Sequence, residues 1–343
     1  MTNSEMLEVV NKIYGNDKNG FLEFLRYNKC YNLLEEATKS SISTPERLIN
    51  SMAVKERYKA CESIFTQINF PYAVVKGAVL SQTLYSNPFL RFSGDIDIII
   101  RREDIDSFKS LMQDNGFVQG KIEDGKIKPS TRQEIVFQNS MTHQTVPYMK
   151  ATNNPLVPYI NVDINMNIMW GESKQKADMN YVLSHREKTK LCGTEFYKLS
   201  SEMEFTALCL HHYKDINSLY LLVRGNFKLG LFCEIYDYLR NVYLDTKKLT
   251  DICEKLNVGK YLLECLIQTQ ELFGDDICQK YVDILRPYED KNIRDTFGLS
   301  DDERKTWNIS LAERIINPNL PQYVYAHLSD KEKKNVALNL KMM

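Results

Sequence analysis

Paired cysteines, long apolar runs and an excess of either charge are all missing from this chain, and each absence closes off a class of protein. The eight cysteines, at positions 30, 61, 192, 209, 233, 253, 265 and 278, occur singly with no C-x-x-C among them. Neither a zinc ribbon nor a disulfide framework is therefore expected. No apolar run approaches the ~20 residues that cross a bilayer, so no membrane partner is expected. The opening stretch MTNSEMLEVVNKIYGNDKNG has no basic segment followed by an apolar one, which argues against a secretory signal and for a cytoplasmic location. Lys and Arg number 44 against 45 Asp and Glu, a formal net charge of −1, so no global basic field offers itself to phosphates and extensive nucleic-acid binding is not expected. Internal repeats and low-complexity segments are absent as well.

What is present is an ordinary globular composition, 43% hydrophobic and 26% charged over 343 residues, enough for about two domains. Residues 1–70 carry apolar side chains at helical spacing, and Thr44-Pro45-Glu46 reads as a helix start. Residues 72–75 form a short β-like run ending at Gly77, followed by a helix and the loop NPFLRFSG. DIDIII, EIVFQ and YINVDINMNIMW read as strands, with a helix from REDIDSF stopped at Gly116. Beyond about residue 200 helical spacing returns, down to DDERKTWNISLAERI.

The run FSGDIDIII poses the functional question. It places Asp95 and Asp97 in an otherwise apolar strand, where a carboxylate is costly unless paired or metal-bound. Alternation puts both on one face, about 7 Å apart, with Ile96, Ile98 and Ile100 on the other. The same three letters recur at Asp104 and Asp106, where acidic residues opening an amphipathic helix serve its dipole. The first copy gains force from NVDINMNIM, in which Asn161, Asp163, Asn165 and Asn167 alternate with Val162, Ile164, Met166 and Ile168. A strand of that pattern beside the first would add a third carboxylate, Asp163. Three clustered carboxylates repel unless one keeps its proton or a hard cation joins them. Upstream, VVKGAVLS is a strand, a glycine turn and a helix start, whose N–H groups suit an anion.

Taken together, the run from VVKGAVLSQTLYSNPFLRFSGDIDIII onward resembles the uncharacterised nucleotidyltransferase family of the DNA polymerase β-like superfamily. The pattern falls on Lys76, Gly77, Tyr85, Arg91, Gly94, Asp95 and Asp97, with the VDIN strand supplying Asp163, and it covers roughly residues 70–170. One departure is Ala78, where many superfamily members carry serine. The resemblance implies an α+β fold: a small mixed β-sheet nucleotidyltransferase core (71–200) flanked by helical regions at 1–70 and 201–343. It also implies transfer of an NMP from an NTP, ATP or CTP, to a hydroxyl on a small molecule, peptide or protein, with release of pyrophosphate. Two Mg²⁺ ions, or Mn²⁺, would sit on Asp95, Asp97 and Asp163, and the nucleotide on Lys76, Gly77, Arg91 and Gly94. A sugar-nucleotide glycosyltransferase also uses D-x-D with a cation, and a non-catalytic binding protein on the same fold is a further alternative. His143 and His212 receive no role at this level.

Overall fold

A computed structural model of the chain describes residues 2–15, 18–38, 45–171 and 173–342; Thr44, expected to open a helix, lies outside them. Three helices come first: α1 (Asn3–Tyr14), α2 (Lys18–Tyr27) and α3 (Tyr31–Thr38). The long helix α4 (Pro45–Gln67) then leads into β1 (Tyr72–Val75), α5 (Gly77–Tyr85), β2 (Ile96–Ile100) and α6 (Ile105–Asp114). Next come β3 (Val118–Glu123), β4 (Lys126–Pro129), α7 (Arg132–Met141), β5 (Tyr148–Ala151) and β6 (Tyr159–Asn165). Helix α8 (Met179–Ser184) and the hairpin β7 (Arg186–Leu191) and β8 (Thr194–Leu199) complete the sheet region. From α9 (Ser201–Asn217) onward the chain is almost wholly helical. The fold class is thus α+β, as expected.

Two compact units divide the chain elsewhere than at 70 and 200. One comprises Ser40–Ala207; the other joins Met1–Lys39 to Leu208–Met343. Helix α4 belongs with the sheet for a packing reason: its Val54, Tyr58, Cys61, Ile64 and Phe65 share one core with Val74, Ile98, Val162 and Phe196. The first helices instead bury Met6, Val10 and Leu25 in a core with Leu222, Phe232 and Trp307.

The sheet is mixed, in the order β4-β3-β5-β6-β2-β1-β8-β7. At its centre β2 runs parallel to β6 and antiparallel to β1. Strand β2 is buried on both faces, as its isoleucines require. Three segments depart from the sequence reading, one of them the end of YINVDINMNIMW, where β6 stops at Asn165. EIVFQ lies within helix α7, opened by a Thr131–Glu134 capping box, and leaves Val136 and Phe137 exposed. DDERKTWNISLAERI forms a short 3₁₀ turn, a two-residue strand and a helix only from Leu311. Among the described residues no helix is long and apolar enough to cross a membrane. All eight cysteines are free, and only Cys192 is exposed.

Candidate functional site

Register decides which carboxylates meet. In the parallel pair β2–β6, Asp97 lies directly beside Asp163, and in the antiparallel pair β1–β2 it lies beside Val75. Neighbours in register project to the same face, and adjacent strands are about 4.8 Å apart. Asp97 and Asp163 therefore share a face, while Ile96, Ile98, Val162 and Ile164 point into the core on the other. Asp95 immediately precedes β2 with the same alternation. Strand β6 ends at Asn165. Asn167, expected on the polar face of that strand, instead closes a loop: its side chain accepts from the N–H groups of Met169 and Ala177 and donates to the Ala177 carbonyl.

Each acid has a distinct environment. Asp97 is 9% exposed; its Oδ1 accepts from Asn165 at 3.1 Å and from Lys76 at 3.4 Å, and Gln144 in turn holds Asn165 at 2.8 Å. Asp163 is pushed up to about 7 by burial and then by the charges of Asp95 and Asp97, and Asn161 hydrogen-bonds it. Its Oδ1 is buried with no hydrogen-bond partner. Burial and the Asp97 charge also raise Asp95, against the opposing pull of Lys76, Arg91 and Arg57. Among the described residues no three His, Cys, Asp or Glu side chains stand close enough to enclose an ion as they are. The donor set nevertheless suits a hard divalent cation: it is all oxygen, mutually repelling, and includes an orphaned carboxylate oxygen.

Beside the acids lies the turn from β1 into α5. Lys76 has φ 57° and ψ −151°, a region that is essentially glycine's own and costs about 1–3 kcal/mol for other residues. Gly77 follows at φ 47°. A Cβ on Gly77 would lie 2.9 Å from Ser93 Oγ, so the turn needs glycine for both conformation and room. Helix α5 starts without a capping side chain, and its first residues Gly77, Ala78 and Val79 are buried. An uncapped helix start is a place for an anion.

The remaining sequence candidates separate. Lys76 ion-pairs with Asp97. The charge of Arg91 acts on Asp95, and its main-chain N–H donates to Ser81 Oγ at 3.0 Å. Gly94 is exposed, and a Cβ there would meet nothing within 4 Å, so space does not demand glycine. Asp104 stands at the N-cap of α6 without a capping bond from its side chain; it is 8% exposed and takes a two-pronged hydrogen bond from Arg101 at 2.6 and 2.9 Å. His143 lines a cavity of about 250 Å³ past the C-terminal ends of β2 and β6, with Arg101, Arg102, Glu103, Lys176 and Asn180. His212 lies in the helical unit, fully buried edge-on against Phe232 and pushed down to about 3 by burial.

Sequence reasoning missed the residues that shape the loop before β2. Asn50 donates to the carbonyls of Phe89 and Arg91 at 2.9 and 3.4 Å, and Arg57 donates to that of Ser93 at 2.6 Å. The signal was there: Arg47, Asn50 and Arg57 recur on one side of α4 at helical spacing, a polar stripe on a helix with a buried face.

A family model described as uncharacterised nucleotidyltransferase matches residues 50–274. The chain belongs to that family. This nucleotidyltransferase-family chain is also similar to a solved structure, an antigenic nucleotidyltransferase-like protein from Paracoccidioides brasiliensis. The identity is 14% over 62% of this chain and 93% of that one, with a TM-score of 0.36. No curated protein matches.

Proposed function

We propose that the protein is a divalent-metal-dependent nucleotidyltransferase, moving an NMP from ATP or CTP to an acceptor hydroxyl on a small molecule, peptide or protein. The observation that supports this most is the Asp97–Asp163 register on one sheet face, next to an uncapped, glycine-opened helix start. Asp95, Asp97 and Asp163 would hold Mg²⁺ or Mn²⁺. Two such ions, when bound, neutralise triphosphate charge and stabilise the attacking and leaving oxygens.

The chain's own groups do the rest. The N–H groups opening α5 donate to the terminal phosphates, and Lys76 exchanges its bond to Asp97 for a phosphate oxygen. Arg91 adds positive charge. Asp163 accepts the proton of the acceptor hydroxyl at its unpartnered Oδ1. The acceptor oxygen then bonds to the α-phosphorus as the bond to pyrophosphate breaks.

Incubation with each labelled NTP, Mg²⁺ and a cell extract tests the reading. Label should move to an acceptor with stoichiometric pyrophosphate release, and Asp97→Asn should abolish both. Nucleotide binding without pyrophosphate release would leave a binding protein on this fold. Affinity for UDP-sugars with none for NTPs would point to glycosyl transfer.

A further inference from the structure

We infer that Arg57, on α4, is a positioning residue that sets the phosphate-binding turn and Asp95 together; this rests on the nucleotidyl-transfer reading above. The chain between α5 and β2 makes no sheet bonds of its own, and α4 holds it from one side. Asn50 and Arg57, seven residues and thus two helical turns apart, lie on one face and donate to the carbonyls of Phe89, Arg91 and Ser93. The Arg57 bond to Ser93 is the shortest of these, at 2.6 Å.

Ser93 is the junction. Its hydroxyl donates to the Asp95 carbonyl at 2.9 Å, with the Asp95 carboxylate at 3.3 Å. The same hydroxyl fills the space a side chain on Gly77 would need. A shift of Ser93 therefore moves both the turn into α5 and the first carboxylate. Arg57 fixes Ser93 from below.

The choice of a guanidinium is itself informative. Arg57 is 8% exposed, its Nε has no partner, and the carboxylate whose charge reaches it is Asp95. A buried cation is expensive, and an apolar residue of similar volume is often as stable or more so. Stability alone does not explain arginine here. A charged donor that holds a backbone carbonyl beside a carboxylate does.

The test uses the full chain, with Mn²⁺ and ATP as probes. Mn²⁺–ATP binding is read by electron paramagnetic resonance and ATP-induced stabilisation by calorimetry. Arg57→Met should leave the ligand-free melting temperature unchanged or higher, yet weaken Mn²⁺–ATP binding about tenfold to a hundredfold, the worth of one charge-assisted hydrogen bond. Arg57→Lys, which keeps a charged donor on a shorter stem, should recover most of that loss. Met binding Mn²⁺–ATP as well as wild type would overturn the inference while leaving the nucleotidyl-transfer reading intact. Equal losses in Met and Lys would reduce Arg57 to packing and overturn it too. Wild type that binds no Mn²⁺–ATP would bring down the site reading and this inference with it.

Discussion

In Asp95-Ile96-Asp97 the backbone is extended and the isoleucine enters the core, so both acids are turned to the opposite face, where Lys76 and Asn165 meet Asp97. In Asp104-Ile105-Asp106 the backbone is turning into α6; Asp104 is folded back onto Arg101 three residues earlier, and Asp106 points to solvent. Burial and then the Asp97 charge raise Asp95, whereas Asp104 is satisfied by a cation of its own. Identical letters thus yield opposite electrostatics, because the period of the backbone decides what each carboxylate faces.

The largest effect that could break this contrast is on transfer. Asp95→Asn should lower NMP transfer by more than about a hundredfold, as loss of a group at a metal centre does. Asp104→Asn should leave it close to wild type once folded protein is compared, with pyrophosphate release as the readout. Comparable losses in both would dissolve the distinction.

Asp163→Asn sharpens it next. This variant should retain much of the Mg²⁺–nucleotide affinity, seen calorimetrically, but lose about 10²- to 10⁴-fold in transfer rate, the usual contribution of a general base. Parallel losses of affinity and rate would mean that Asp163 only holds the cation.

Stability supplies the smallest and most pointed contrast, because the signs should differ. Without metal, Asp95→Asn removes a crowded charge and should raise the melting temperature, whereas Asp104→Asn breaks a part-buried ion pair and should lower stability by about 1 kcal/mol. The pH dependence follows from Asp163. Its folded-state pKa of about 7 lies above the ordinary 3.8, so between these values the folded form keeps a proton that the unfolded chain has lost. Metal-free stability should therefore fall as pH rises through that window, and Asp163→Asn should flatten the slope. A metal-free melting temperature that climbs across the window would contradict the crowding of the three acids.

Much of the central strand arrangement was legible because its signals are local and periodic. DID and NVDIN alternate, so parity put Asp95 and Asp97 on one face and Asp163 on the polar face of its own strand, while the register that joins them came only with the fold. EIVFQ failed because five residues rich in apolar side chains read alike in both periods; the capping box at Thr131 and Glu134 was the better guide. Two hairpins escaped although their turns announce them. Asp124-Gly125 and Cys192-Gly193 both take positive φ, as tight hairpins between twisted strands require, and Asp-Gly is a strong signal for one. Arg57 was harder, since it serves a loop some forty residues downstream and its function lies in tertiary contact. Lys76 was read as a phosphate ligand; its ion pair with Asp97 depends on a strand register that no single segment encodes.

The strand order has a consequence in time as well as space. Strands β2 and β6 occupy the middle of eight, with three strands beyond on each side. Ladder bonds on both edges mean that the amides around Asp97 and Asp163 exchange with solvent only when the sheet itself comes apart. Asp97 and Asp163 therefore stand on the slowest-moving part of their unit, with Asp95 just before it. Adjustment to a substrate falls to what is not laddered, such as the α5–β2 connection, which Asn50 and Arg57 hold by side-chain bonds.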